Sequence, residues 1–286
     1  MNVSEIKKLA GRGELSNMSK LNLKQTGFCV LAFLLLFPQI SWSADSGRFS
    51  VTPRIWMTNM KTNFFQEGLS TTGAESSTEW HVPLQGATIT YAPNKSPDWD
   101  FLATALYGTS TANFVDNIKF GNTEISRLDM EFLARKDIKG STMKAIAGVR
   151  YIKYDADDTY TDGSIHSSTG NALKESSVHL YIGEFGMSGF NNITANGKHR
   201  MFWNALGGLG YADVDNHKRL ESAGKNGKES IIWSFDINIG YVYTISKNFG
   251  ANARYRSFGT PSDLAETDQH ETIIIHGPEL GLTYHF

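Results

Sequence analysis

The chain has 286 residues, 40% hydrophobic, 12% aromatic and 20% charged, with a formal net charge of −2. That length suffices for one large all-β domain, and that charge argues against a nucleic-acid partner, which calls for a basic surface. Past the first forty or so residues there is no run of about 18 apolar residues, which excludes a polytopic helical membrane protein.

The first segment reads as an export leader. Met18, Lys20 and Lys24 open a basic stretch, Phe28 to Phe37 is apolar, and Ser41 and Ser43 set small residues at the minus-three and minus-one sites. This is the pattern of a secretory signal peptide cleaved after Ser43 or Ala44, with 1–17 as an upstream extension or misassigned start. Residues 27–40 number only 14, short of the ~20 that a spanning helix needs. Cys29, the only cysteine, sits at the front of the apolar run and so is a poor lipoprotein site; 44–286 have no thiol and need no disulfide in an oxidising compartment. The expected organisation is a leader over 1–43 and one domain over 44–286. Residues 1–43 hold five of the 27 basic and two of the 29 acidic residues, so the remainder carries 22 and 27, a net charge of −5.

Ten segments then alternate with period 2, which places successive side chains on opposite faces of a strand. The first, over 48–59, puts Phe49, Val51, Ile55 and Met57 on one row. The second (82–91) carries Ala87, Ile89 and Tyr91, and the third Trp99, Phe101, Ala103, Ala105 and Tyr107. A loop over 108–124 precedes the fourth, with Leu128, Met130, Phe132 and Ala134, and a short turn joins it to the fifth, with Met143, Ala145, Ala147, Val149 and Tyr151. A loop over 153–175 follows. The sixth bears Tyr181, Gly183, Phe185 and Met187; the seventh Met201, Trp203, Ala205, Leu209 and Tyr211. The eighth is one unbroken apolar row from Ile231 to Ile245, the ninth carries Phe249, Ala251, Ala253 and Tyr255, and the tenth Leu280, Leu282, Tyr284 and Phe286.

Short or moderate turns follow the even strands and long loops the odd ones, and aromatics bracket several rows at both ends. This predicts a transmembrane, antiparallel, up-and-down β-barrel of ten strands, with eight or twelve as fallback counts. Closure is required because an open edge cannot sit in hydrocarbon. The final strand, with Tyr284 and the closing Phe286, resembles the C-terminal strand of bacterial outer-membrane β-barrels. That resemblance implies recognition by the barrel assembly machinery, contact with outer-membrane lipid and lipopolysaccharide, and loops open to host or matrix molecules.

The opposite rows gather charge: Arg54, Arg127, Asp129, Glu131, Arg135, Lys144, Arg150, Glu184, Asp236, Arg254, Arg256 and Glu279. Burial of an unpaired charge is costly, so these groups are expected to pair across a narrow lumen. The balance of signs favours a salt-bridged plug over the alternative, a narrow channel for small polar solutes.

Two loops carry candidate chemistry. The ten-strand topology and the Asp215-Asn216-His217 step resemble the omptin proteases of outer membranes. The resemblance implies an endopeptidase in which Asp215 and His217 activate water and Asp116 supplies a further carboxylate. Ile118 stands where that family has its fourth acidic residue. The stretch 155–163 offers Asp155, Asp157 and Asp162 as loose calcium candidates; as an EF-hand it fails, with Tyr160 in place of the glycine and His166 in place of the bidentate glutamate. The eight histidines show no metal-ligand spacing, and nothing in the sequence asks for a cofactor. The leading expectation is a non-enzymatic surface protein, structural or adhesive, with the channel and the endopeptidase as alternatives.

Overall fold

The computed structural model describes residues 47–62, 78–116, 119–160, 176–215, 227–261 and 272–286. The expected leader and cleavage boundary, His166, His217 and Asp162 lie outside them. Ten strands follow in order: β1 (Gly47–Thr62), β2 (Thr78–Pro93), β3 (Trp99–Asp116), β4 (Lys119–Asp137), β5 (Met143–Tyr160), β6 (Ser176–Asn192), β7 (His199–Asp215), β8 (Gly227–Thr244), β9 (Phe249–Pro261) and β10 (Thr272–His285). Each pairs antiparallel with its sequence neighbours, and β10 closes the barrel on β1. There is no helix among the described residues.

The outward rows are those read from the alternation. Phe132 is 51% exposed, Phe185 60%, Leu209 63% and Leu282 62%, values that a water-soluble core strand would not tolerate in a continuous band. Val51 departs from this pattern. It lies on the outer row yet is only 3% exposed, opposite Ile89 and Tyr284 in the ladders. Rings mark the ends of the band. At the loop end Tyr151 opposes Tyr181, which opposes Tyr211. At the turn end Phe49, Phe249, Tyr284 and Phe286 cluster with centroids 4.8 to 5.6 Å apart. Within β8, Trp233 and Tyr243 are ten residues apart. At ~3.3 Å per residue and a tilt near 40°, that separation is ~25 Å of height, the thickness of an outer-membrane apolar band.

Above the loop-end ring the strands invert. On β5 the outward row changes from Ala147, Val149 and Tyr151 to Lys153 and Asp155, while the inward row changes from Lys144 and Arg150 to the buried Ile152, Tyr154 and Ala156. β6 and β7 do the same, with Ser177, His179, Asp213 and Asp215 outward and Val178, Leu180, Ala212 and Val214 buried. The lower barrel is apolar outside and mostly polar inside, where Leu133, Ile146 and Leu206 form a small buried apolar cluster among the charges; the upper part has the reverse order of a soluble barrel.

Two connections differ from the sequence reading. The expected loop over 108–124 is mostly ladder: β3 and β4 stay paired from Gly108 opposite Arg127 up to Asp116 opposite Lys119. β5 likewise continues to Tyr160, paired with Gly121, where a loop from 153 was expected. Both stretches lie above the band, where alternation with lipid-facing residues no longer marks a strand.

Two ladders are short. β2 and β3 pair only up to Gln85 opposite Tyr107, and β8 and β9 only up to Phe235 opposite Gly259. A proline lies two residues above each last pair, Pro83 and Pro261, and supplies no N–H for a further rung.

Candidate functional site

The interior is built in layers. Alternation turns every second residue of each strand inward, and in the lower and middle lumen long charged side chains reach across a ten-strand interior between smaller polar residues and the Leu133, Ile146 and Leu206 cluster.

The middle layer centres on Arg150 of β5. Its Nε and Nη2 donate to the two oxygens of Asp129 at 2.8 and 2.5 Å, and Nη1 donates to Asp236 at 2.6 Å and to Glu184 at 3.4 Å. Arg256 of β9 forks onto Asp236, with Nε at 3.1 and 3.0 Å from its oxygens and Nη2 also bonded to it, and reaches Glu131 at 3.3 Å. Arg127 of β4 donates to Asp129 and to the Tyr154 hydroxyl, both at 2.7 Å. Such bidentate, charge-assisted bonds are the strong class.

Aromatic faces complete the packing. The Arg150 guanidinium lies 4.1 Å from the Phe258 centroid and Arg256 4.9 Å from Trp56, while Arg127 lies within 5.7 Å of Trp56, Tyr154 and Phe258. Trp56 is held in turn by a bond from its indole N–H to the Gly277 carbonyl at 3.1 Å. Planar guanidinium groups tolerate this sandwiching between carboxylates and rings.

Below lies a second layer, in which Glu279 accepts from Arg54 at 2.6 Å and from Arg254 at 2.7 Å. At the turn end Asp100 accepts from Arg135 at 2.5 Å and Lys144 at 2.9 Å, and Lys144 also meets Asp137 at 2.6 Å. The middle layer has three cations and four carboxylates, the second layer two and one, the lowest two and two. The excess carboxylate of the middle layer therefore faces the excess cation beneath it, and the stack as a whole is neutral.

All twelve lumen residues expected from the sequence take part in these pairs. Asp100 and Asp137 were not among them. The signal for Asp100 was its position between Trp99 and Phe101 of an outward row, which makes it inward by parity. Also missed was the layer above: Trp56, Met60, Leu84, Leu106, Ile125, Ile152, Leu180, Val214, Ile232, Phe258, Ile275 and their neighbours form one buried apolar slab to which all ten strands contribute. Its signal was the change of face at the loop-end ring.

Among the described residues, Glu131, Glu184 and Asp236 each place a carboxylate oxygen within 4.8 Å of the others, a spacing that suits a cation. Arg150 and Arg256 supply the positive charge at that point. Asp155 faces outward on β5, bonded to Lys153 at 2.9 Å and to Ser126 at 3.5 Å. Asp157 belongs to the same extended ladder, opposite Glu124, with its side chain outside the described set. Asp116 ends β3 with its side chain also outside that set, and Asp215 ends β7, exposed, on a strand that does not neighbour β3. Phe286 donates its N–H to the Phe49 carbonyl at 3.0 Å, and its ring packs edge-on to Tyr284.

The fold therefore defines the class, a closed ten-strand antiparallel up-and-down barrel with an apolar outer band. Compared by sequence, the chain matches no family model and no curated protein. Compared by structure, it is similar to the outer membrane protease OmpT from Escherichia coli, with a TM-score of 0.51 and 9% identity over 87% of this chain and 99% of that one. It is also similar to the translocator domain of the autotransporter NalP from Neisseria meningitidis (0.45, 10%, 92% and 97%) and to Ail, the attachment invasion locus protein of Yersinia pestis (0.29, 12%, 84% and 99%). At 9% identity the likeness to the protease is one of fold.

Proposed function

We propose that the chain is an integral outer-membrane barrel, exported by its leader, closed to solutes, and non-enzymatic, with its upper strands and loops presented for a structural or adhesive role. The observation that carries this reading is the inversion of the strands at the loop-end aromatic ring. A soluble barrel would keep its apolar row inside along the whole strand, and a porin its polar row. This chain does one above the ring and the other below, the pattern expected of a strand that crosses a water boundary at that level. With short turns on the periplasmic side, the upper part stands outside the cell.

The mutual bonding of the stacked charges supports closure, since conduction needs groups free to exchange with a passing ion. In planar bilayers the purified protein is expected to give no large steady conductance, and porin-sized openings would overturn closure. Floating with vesicles and resisting an alkaline wash is the corresponding test of membrane insertion. For the endopeptidase alternative the assay is a fluorogenic peptide with paired basic residues, offered with lipopolysaccharide. No cleavage is expected, and cleavage abolished by Asp215→Ala would replace the non-enzymatic reading.

A further inference from the structure

The turn end of the barrel carries a feature that the lumen does not explain. Lys95 between β2 and β3 is exposed, and so are Lys136 and Lys139 at the β4–β5 hairpin, Lys198 between β6 and β7, and Lys247 between β8 and β9. Every short turn thus contributes a cation. Because the barrel is closed in chain order, these charges are distributed around its whole circumference. The exposed carboxylates among the turns are Asp98 and Asp137, the latter already bonded to Lys144. Among the described side chains at the opposite end, the exposed or half-buried Glu124, Asp155, Asp213, Asp215 and Glu229 outnumber Lys61 and Lys153.

The height of the ring is fixed by aromatic neighbours. The Lys136 ammonium lies 5.3 Å from the Trp99 ring centroid, and Trp99 stacks on Phe101, the first outward residue of the apolar band on β3. The cations therefore begin where the band ends, at the depth of lipid phosphates. A protein partner would call for a patch on one side; an annulus of charge with a cation on each hairpin suits ligands that surround the barrel.

We propose that this ring binds the headgroups of anionic phospholipid in the leaflet at the turn end, and so gathers such lipid around the barrel. The proposal rests on the membrane-spanning reading. Each lysine at a membrane surface adds about 1 kcal/mol of attraction to anionic lipid, roughly fivefold in occupancy per contact.

The test uses the full chain after leader removal, in nanodiscs of phosphatidylcholine with a minority of phosphatidylglycerol, and counts the lipids retained by native mass spectrometry. Wild type is expected to retain phosphatidylglycerol at several times its bulk ratio, and the variant Lys95→Gln, Lys139→Gln, Lys198→Gln, Lys247→Gln to fall to the bulk ratio. All four positions are exposed turn residues, so folding is expected to persist, checked by the β-sheet circular dichroism signal. Retention at the bulk ratio by wild type, or unchanged enrichment in the variant, would overturn the ring while leaving insertion intact. Failure of the chain to enter bilayers at all would instead overturn the spanning reading. A single-turn reversal, Lys247→Glu, separates a true annulus from one dominant site: an annulus loses only part of the enrichment, whereas a complete loss would contradict it.

Discussion

Arg150 is fully buried and bonds three carboxylates on three other strands, Asp129 of β4, Glu184 of β6 and Asp236 of β8. Replacing it with methionine keeps volume but leaves Glu184 with no cation and the other two with one each. Loss of one partner from a buried ionic network costs about 3–5 kcal/mol, and Arg150→Met is expected to lower the unfolding free energy in lipid vesicles by that amount. Arg135 pairs with Asp100 at the turn end, where the two side chains are 22% and 10% exposed. Water takes up part of the loss there, and Arg135→Gln is expected to cost about 1 kcal/mol or less. Urea titration of both variants gives the comparison, and equal effects would mean the middle layer is wetter than its burial implies. Gly277 offers a second test at this scale. It sits at φ +152° on the closing strand, and a Cβ there would meet the Met57 carbonyl oxygen at 2.0 Å. Backbone cannot swing aside as a side chain would, so Gly277→Ala is expected to cost more than about 1 kcal/mol and to reduce the refolded fraction. Sequence alone gave no sign of this role, because glycine in a strand is equally consistent with simple curvature.

At the scale of the strand, β8 carries a ruler for depth. Ile237 lies between Trp233 and Tyr243 and is 54% exposed, while Ile231 lies above Trp233 and is 86% exposed. Exposure alone would rank Ile231 as the more sensitive site to a charge. Depth reverses the ranking: arginine near the bilayer midplane costs about 2–4 kcal/mol and near the interface about 0–1. Ile237→Arg is therefore expected to destabilise the vesicle-embedded barrel strongly and Ile231→Arg hardly at all, and the two should become alike in a detergent without a fixed thickness. The same boundary explains how much of the strand plan was legible. Between the rings every strand was readable, because one row had to suit lipid and the other the lumen. Above the loop-end ring both faces follow different rules, and Gly108 to Asp116, rich in Thr, Ser and Asn, looked like a loop although its backbone stays in a ladder with β4. The lumen charges were legible for the same reason as the lower strands, by parity; Asp100 shows that a short polar residue next to a turn escapes that reading, and the apolar slab shows that parity says which way a residue points but not what it meets.

For the whole molecule, the interior holds two barriers in series. The ion-pair stack occupies the lower and middle lumen with seven cations and seven carboxylates in three bonded layers, beside the small apolar cluster of Leu133, Ile146 and Leu206, and the apolar slab crosses the lumen above it. Ions pass neither a filled charge network without exchange nor a dry apolar constriction. Trp56 belongs to both, since its ring lies in the slab and against the Arg127 and Arg256 guanidiniums. The expected consequence is a conductance that appears only when both barriers are weakened. Arg150→Met alone and Trp56→Ala alone should each remain silent in planar bilayers, and the double variant should show a small conductance. Its selectivity follows from charge: the paired stack is neutral, removal of Arg150 leaves one excess negative charge, and the pore should favour cations. Asp236→Asn with Trp56→Ala leaves one excess positive charge and should favour anions. A conducting Arg150→Met single variant would show that the slab is not a seal, and a common selectivity in the two double variants would show that ions take a path outside the stack.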